Sequence, residues 1–134
     1  MGVLLDIEVA LQSKLSTLSC GFEVDIAWPN IAYDPADSVP YLRPTYLPAR
    51  AGRVTLTGGT YHRGIYQIDI FVPLDHGTNV LDVISDDIYT LFRNEDLTEN
   101  SHIIEVQNIN RGLVKREEAW WHGFIELQFQ CFDY

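Results

Sequence analysis

Two long segments in which apolar and polar residues alternate, 61–72 and 120–132, constrain the fold of this chain most. Such alternation places the apolar side chains on one face of a β-strand. The apolar positions of the first segment include Tyr66, Ile68, Ile70 and Val72, opposed by Gln67 and Asp69. Those of the second include Trp121, Ile125, Leu127, Phe129 and Cys131, opposed by Glu126, Gln128 and Gln130. Both segments are predicted to be long strands of a sheet that buries one face.

Two further segments have the periodicity of amphipathic helices. In the first, Leu4, Ile7, Leu11, Leu15 and Leu18 recur at steps of three and four residues. This spacing predicts a helix of about fifteen residues, with Gly21 suited to its C-terminal end. In the second, Thr78 precedes a stripe of Leu81, Ile84, Ile88, Leu91 and Phe92. Thr78 is a suitable N-cap, and Asp82, Asp86 and Asp87 give this helix an acidic outer surface.

Shorter alternating segments at 24–28 and 41–47 predict two more strands, separated by a loop over 30–40. The prolines in and beside the segment 41–47 all stand at even positions: Pro40, Pro44 and Pro48. Backbone N–H groups point alternately to the two sides of a strand, so these prolines remove donors from the same side. The strand 41–47 is therefore predicted to lie at a sheet edge, or to meet a neighbour only through its other side.

The residues 49–60 hold three glycines, Gly52, Gly58 and Gly59, and predict a long hairpin connection after the second strand. Later in the chain, 101–109 reads as a strand and 110–112 as a turn. The predicted order is αβββαββ in a single domain, 1–134. Consecutive strands with short links predict an α+β fold with a mainly antiparallel sheet, in which two helices pack on one face.

Composition and charge exclude several kinds of partner. The 134 residues carry a net charge of −10, and this acidity disfavours nucleic-acid binding through phosphate neutralisation. No segment reaches the roughly 18 consecutive apolar residues that a membrane-spanning helix needs, and acidic residues interrupt the first apolar run. The expected partners are proteins, with no sequence-specific nucleic acid and no membrane.

Side chains with catalytic or ligand chemistry are scattered. The histidines are His62, His76, His102 and His122, without the spacing of a metal site. Cys20 and Cys131 are far apart in sequence, and neither lies beside a histidine or a helix start, so buried thiols are expected and not a disulfide or a nucleophile. We therefore expect no enzyme activity, no cofactor and no metal.

Charge is segregated along the chain. Between Asp37 and Asp69 there are four arginines and no acid, a charge of +4, while the remainder of the chain holds five basic and nineteen acidic residues, a charge of −14. A basic element on an acidic body suits a head-to-tail contact between copies, although a solvated hairpin without a partner has the same charge pattern. The predicted protein-interface residues are Tyr41, Arg43, Tyr46, Arg50, Arg53, Thr55, Thr57 and Arg63.

The segments described above resemble one family as a set. They are IAWPNIAYDP at 26–35, VPYLRPTYLPA at 39–49, YHRGIYQIDIFVP at 61–73 and the aromatic strand at 120–132, with a helix before the first and another before the last. In this combination the chain resembles the bacteriophage tail-terminator-like proteins over nearly its whole length. Its most specific part is 64–72, and none of these segments is a catalytic motif.

The resemblance implies a structural subunit that assembles as a ring, with six copies expected, on the head-proximal end of a tail tube of the long non-contractile (siphophage) type. The ring would end tube polymerisation and form the surface for head-tail joining. Its implied partners are further copies of the chain, the tail tube protein and a head completion or connector protein. The implied location is the virion, after assembly in the host cytoplasm, with DNA passing through the lumen.

Two other functions fit the same sequence. A head-tail connector or neck adaptor would share the biological setting but bind the portal side first. A small ligand-binding α+β domain would instead be a monomer with a deep pocket.

Overall fold

The computed structural model describes residues 3–29, 31–35, 39–48, 52–53, 60–74, 78–93, 96–99, 102–112, 114–117 and 120–133. Two helices and eight strands follow one another along the chain. They are α1 (Val3–Leu15), β1 (Asp25–Ile26), β2 (Tyr41–Pro48), β3 (Gly52–Arg53), β4 (Thr60–Pro73), α2 (Thr78–Phe92), β5 (Asp96–Glu99), β6 (His102–Arg111), β7 (Lys115–Glu117) and β8 (Trp120–Asp133). The predicted α+β class is confirmed.

The eight strands form one sheet in the order β1-β2-β4-β8-β6-β5. The short strand β3 continues the β2 side of the sheet by pairing with β4, and β7 continues the β6 side by pairing with β8. All pairings are antiparallel except that of β1 with β2. The long strands β4 and β8, formed by the two segments with the longest alternation, lie at the centre.

The main core lies between one face of this sheet and the two helices. The alternating apolar residues of β4 and β8 pack there against most of the predicted helical stripes, whereas Leu4 of the first stripe is 54% exposed. Buried members from the helices are Ile7, Leu11, Leu15, Leu81, Ile84, Ile88 and Phe92. Those from the two central strands are Tyr66, Ile68, Ile70, Val72, Ile125, Leu127, Phe129 and Cys131. The predicted packing of both helices on one face is confirmed.

One buried polar pair ties α1 to the sheet. Asp6 is 1% exposed, and its Oδ2 lies 2.6 Å from Nδ1 of His102, at the start of β6. A buried carboxylate is costly unless it has a hydrogen-bonding partner, so this contact favours one position of α1 against β6.

The proline-marked strand β2 lies near the sheet edge, as predicted. It pairs with β4 along its whole length, whereas on its other side β1 covers only Tyr41 and Leu42. The N–H of Ala27 donates to the carbonyl of Leu42 at 2.7 Å, so even-numbered backbone groups of β2 point away from β4. Pro44 and Pro48 therefore remove donors from the outer side alone, and the ladder with β4 is kept.

Several boundaries differ from the predictions. Helix α1 ends at Leu15, where the hydroxyls of Ser16 and Thr17 donate to backbone carbonyls at 2.6 Å, and Gly21, with φ of 76°, follows in the loop. The turn predicted at 110–112 was wrong for Asn110 and Arg111, which pair with β8. The strands β3, β5 and β7 were not predicted, because two to four residues are too few to show a period.

We predict that Ile68→Ala destabilises the protein by about 2–5 kcal/mol, because it opens a cavity in the main core. Ile68 is 0% exposed at the centre of β4. The measurement is the free energy of unfolding in urea. The matched control is Ile103→Ala in β6, where the side chain is 51% exposed and the expected change is within about 0.5 kcal/mol. Equal losses from the two variants would contradict this assignment of the core.

Candidate functional site

The second face of the sheet carries neither helix, and we call it the helix-free face. It is formed by the side chains that alternate with the core residues. On β2 and β4 these are Tyr41, Arg43, Thr45, Leu47, Tyr61, Arg63, Ile65, Gln67, Asp69 and Phe71. On β8 and β6 they are Trp120, His122, Phe124, Glu126, Gln128, Gln130, Ile103, Glu105, Asn108 and Asn110. A wide sheet face that neither described helix covers is a candidate functional surface of this chain.

The middle of the helix-free face is lined by amide side chains. Cross-strand register places Gln128 opposite Ile65 on one side and Asn108 on the other. Asn108 Nδ2 donates to Gln128 Oε1 at 3.0 Å, and Gln130 Nε2 donates to Glu105 Oε2 at 3.1 Å. These bonds order polar side chains across the strands, so the middle of this face is polar.

One end of the helix-free face holds an aromatic cluster of Tyr33, Tyr41, Phe71, Trp120 and His122. The rings of Tyr41 and Phe71 stack with centroids 4.7 Å apart, and Phe71 stacks on His122 at 4.4 Å and 5°. Trp120 meets Tyr41 edge-on at 5.2 Å, and Tyr33 lies 5.1 Å from Tyr41. Stacked and edge-on pairs at these distances are favourable, so ring packing stabilises this end of the face without a helix.

A buried carboxylate lies directly beside the aromatic cluster. Asp69 is 8% exposed, and its Oδ1 lies 3.0 Å from His122 Nε2 and accepts from Gln67 Nε2 at 3.1 Å. Arg43, the cross-strand neighbour of Asp69, places its guanidinium carbon 4.8 Å from the ring centre of Phe71. The arrangement holds one carboxylate by two side chains while an arginine lies over the stack.

The outer side of the cluster is closed by a second polar pair. The hydroxyl of Tyr33 donates to Asp25 Oδ2 at 3.0 Å. Burial, together with this hydrogen bond and the charge of Asp25, raises the pKa of Tyr33 to about 12. A cavity of about 340 Å³ adjoins Tyr33 and is lined in part by Trp28, Ile31 and Arg43.

The predicted interface residues do not all share one face. Arg43, Arg63 and Tyr41 lie on the helix-free face, with the two arginines exposed and Tyr41 buried in the aromatic cluster. Tyr46 lies on the helix side, where it stacks on Phe129 at 5.7 Å and 15°. Burial, with Glu8 nearby, raises the pKa of Tyr46. The backbone of Arg53 forms β3, and Arg50, Thr55 and Thr57 lie outside the described residues.

Sequence reasoning missed the polar network of Gln67, Asp69 and His122. The alternation did place Asp69 on the outer face of its strand, but contact with His122 depends on the register between β4 and β8, which puts Phe71 opposite His122. No pattern in a single sequence reports that register. One sequence signal could have suggested this contact: the alternation of each strand places Asp69 and His122 on the same outer face of the sheet.

Other chemistry finds little support in the described residues. Within them, no group of three or more His, Cys, Asp or Glu side chains is placed to hold a metal ion. No helix of the described ranges has the length and apolar character needed to cross a membrane. Cys20 and Cys131 are not joined in a disulfide, and Cys20 is half-buried, more accessible than predicted.

Comparison with known proteins gives a family and a fold. Residues 6–129 match the sequence family described as phage tail terminator protein. One solved structure superposes with a TM-score of 0.81 over 99% of this chain and 99% of its own, at 22% sequence identity. At that identity the likeness is one of fold. Among curated proteins no significant match is found.

We predict that His122→Leu destabilises the protein by about 1–3 kcal/mol, because it leaves the buried Asp69 carboxylate without its ring partner. The control is Gln128→Leu, which removes a hydrogen bond to the exposed Asn108 on the same face. There the expected loss is within about 0.5 kcal/mol. Urea unfolding of both variants makes the comparison, and a smaller loss for His122→Leu than for the control would contradict it.

We also predict that Cys20 is a poor nucleophile. Burial and the neighbouring Asp87 carboxylate raise the pKa of the Cys20 thiol to about 12, so little thiolate is present at pH 8. Its reaction with a disulfide reagent at pH 8 should be at least about tenfold slower than that of an unperturbed thiol, because the loss of thiolate outweighs the higher nucleophilicity of a high-pKa thiolate.

Asp87→Asn should accelerate this reaction, since it removes the charge that disfavours the thiolate. The control is Asp86→Asn, on the exposed side of the same helix, which should leave the rate unchanged. Fast labelling of Cys20 in the unaltered protein would contradict the prediction.

Proposed function

The chain belongs to the phage tail terminator protein family, whose members are structural proteins of the phage tail, and on that premise we propose that it caps the head-proximal end of the tail tube. In this role it ends tube polymerisation and forms the surface on which the filled head is joined. The match over residues 6–129, nearly the whole chain, is the observation that carries the proposal. The virion is the corresponding location, with assembly in the host cytoplasm.

We infer that the capping unit is a ring of copies of this chain, six in number. A ring needs a heterologous contact, in which one side of a subunit meets a different side of the next. Charge segregation supports such a contact, because the +4 window containing Arg43 and Arg63 contrasts with the acidic remainder. The outer side of α2 adds acidic charge, with Asp86 exposed and Asp87 half-buried.

The helix-free face supports a role in protein contacts. Its aromatic end presents Arg43 over a stack of rings, and aromatic residues and arginine are enriched in protein interfaces. Its amide centre is polar and hydrogen-bonded, a surface that suits an interface with bridging water. The proposed partners are neighbouring copies, the tail tube protein and a head completion or connector protein.

In this proposal DNA passes through the ring and is not bound by it. A net charge of −10 repels the phosphate backbone, so DNA can move through a ring of such subunits without adhering. No catalytic role is proposed, and neither a cofactor nor a metal is needed for capping. The arginines of the +4 window are assigned to contacts between proteins.

The first test is binding to isolated tail tubes that lack heads. A terminator should bind their ends and stop further growth, so tubes assembled with the protein keep a uniform length by electron microscopy. Binding to heads without tails, combined with failure to bind tube ends, would instead identify a head-tail connector or neck adaptor. A monomer that binds neither would overturn both assignments.

We predict that Arg50→Glu combined with Arg53→Glu abolishes capping, because it reverses charge on the hairpin connection proposed to reach neighbouring proteins. The expected result is tubes of uncontrolled length and loss of the ring in solution-mass measurements. The matched control is Arg93→Glu combined with Arg116→Glu, two exposed arginines outside the predicted interface. Unchanged ring size and tube length in the Arg50 and Arg53 variant would refute a role for this connection.

A further inference from the structure

One row of side chains crosses the helix-free face with a cation at one end and acids at the other. Register pairs Arg63 of β4 with Gln130 of β8 and pairs Gln130 with Glu105 of β6. Glu105 is in turn opposite Asp96, the first residue of β5. These four residues therefore form a single line across four strands, which we call the dipolar row.

The two ends of the dipolar row are too far apart to meet within one chain. Three strand spacings of about 4.8 Å separate Arg63 from Asp96, or roughly 14 Å. Gln130 between them donates to Glu105 at 3.1 Å and so positions the inner acid. Arg63 and Asp96 are both exposed, and neither forms an ion pair with any residue that the structure describes.

The two ends of the dipolar row lie toward opposite sides of the sheet, which we call its arginine margin and its acidic margin. On the arginine side β2 ends at Pro48, opposite Gly64, and β3 begins at Gly52, opposite Tyr61, so Arg63 of β4 lies between the β2 and β3 pairings. On the other side β5 is the last strand of the sheet. A second copy placed beside the first therefore brings an arginine margin against an acidic margin, and only a head-to-tail arrangement does so.

The backbone of β2 directs how such a contact can form. Among the even positions of its outer side past Leu42, Pro44 and Pro48 have no N–H, so Tyr46 has the one donor. A strand of a neighbouring copy therefore cannot extend the sheet by a regular ladder at this edge. Side chains must therefore make the contact, and the charged ends of the dipolar row are suited to it.

We propose that neighbouring copies of this chain are joined by ion pairs between Arg63 of one copy and Asp96 and Glu105 of the next. The occupant of each margin is a second copy, selected by charge complementarity. This inference rests on the proposed function in one respect, that copies assemble. It adds which two margins meet, and that side chains join them without a shared sheet.

Charge reversal in solution tests the contact. Arg63→Glu and Asp96→Arg, each alone, should shift the solution mass from oligomer to monomer and raise the apparent dissociation constant at least about tenfold, since each places like charges together. The two substitutions in one chain should restore the oligomer. An equimolar mixture of the two single variants should restore it as well, because reversed and native margins then alternate.

The control is Arg93→Glu, which matches Arg63→Glu closely. Arg93 is also exposed and also lies over a tyrosine, with its guanidinium carbon 5.6 Å from the Tyr89 ring centre, compared with 5.4 Å from Arg63 to Tyr61. It is on the helix side of the molecule, and its variant should keep the oligomer. Thermal unfolding of every variant, measured in parallel, distinguishes a lost contact from a lost fold.

The outcomes separate this inference from the proposed function. If Arg63→Glu is folded and keeps the oligomer, or if the double variant fails to recover it, the dipolar row is not the contact, whatever the protein does at tube ends. If the charge-reversal pattern holds but the unaltered protein fails to cap tail tubes, the contact stands and the capping function falls. If the unaltered protein is monomeric in solution, the same variants are compared when bound to tube ends. If the unaltered protein is also monomeric on tube ends, the inference is overturned.

Discussion

The antiparallel pairing of β4 with β8 runs through fourteen consecutive residue pairs, from Thr60 with Asp133 to Pro73 with Trp120. Every other strand is added to one side or the other of this central pair. Its register assigns each side chain of both strands to the helix side or to the helix-free face, since a slip of one residue would invert the two. The core, the aromatic cluster and the dipolar row all depend on it.

The helices cover one face, and this asymmetry organises the molecule. The helix side is apolar and provides the burial that stabilises the fold, with the Asp6–His102 pair positioning α1 within it. The helix-free face is stabilised differently, by ring stacking at one end and by amide hydrogen bonds in the middle. A small domain built this way has a broad polar and aromatic surface opposite its core, which suits the proposed role as a subunit of a larger assembly.

Charge and edge chemistry limit how that surface can be used. An acidic body with an arginine margin favours contacts in one direction, and prolines on β2 prevent the sheet from being extended. Uncontrolled strand addition would produce fibres, whereas side-chain contacts at a defined angle can close into a ring. The same prolines would thus restrict the geometry of the proposed assembly.

The sequence by itself determined the elements that have a clear period. The stripe of Leu81, Ile84 and Ile88 predicted α2, the alternation through Ile68 and Ile70 predicted β4, and the parity of Pro44 and Pro48 predicted the outer side of β2. These three predictions are correct because burial of one face imposes a periodicity within each segment, and that periodicity is visible without knowing the segment's partners. The family resemblance was available for the same reason, since it rests on those segments in order.

Tertiary structure alone decided which residues meet. The β4–β8 register brought Asp69 to His122, and the register shift of β6 between Val106 and Asn108 kept Val106 and Ile109 against the core while Asn108 faces the opposite side. Strands as short as β3, β5 and β7 form only because they pair with the backbone of a longer neighbouring strand. Sequence periodicity specifies the face that a residue occupies, whereas its cross-strand partner depends on a pairing between distant segments that no local pattern contains.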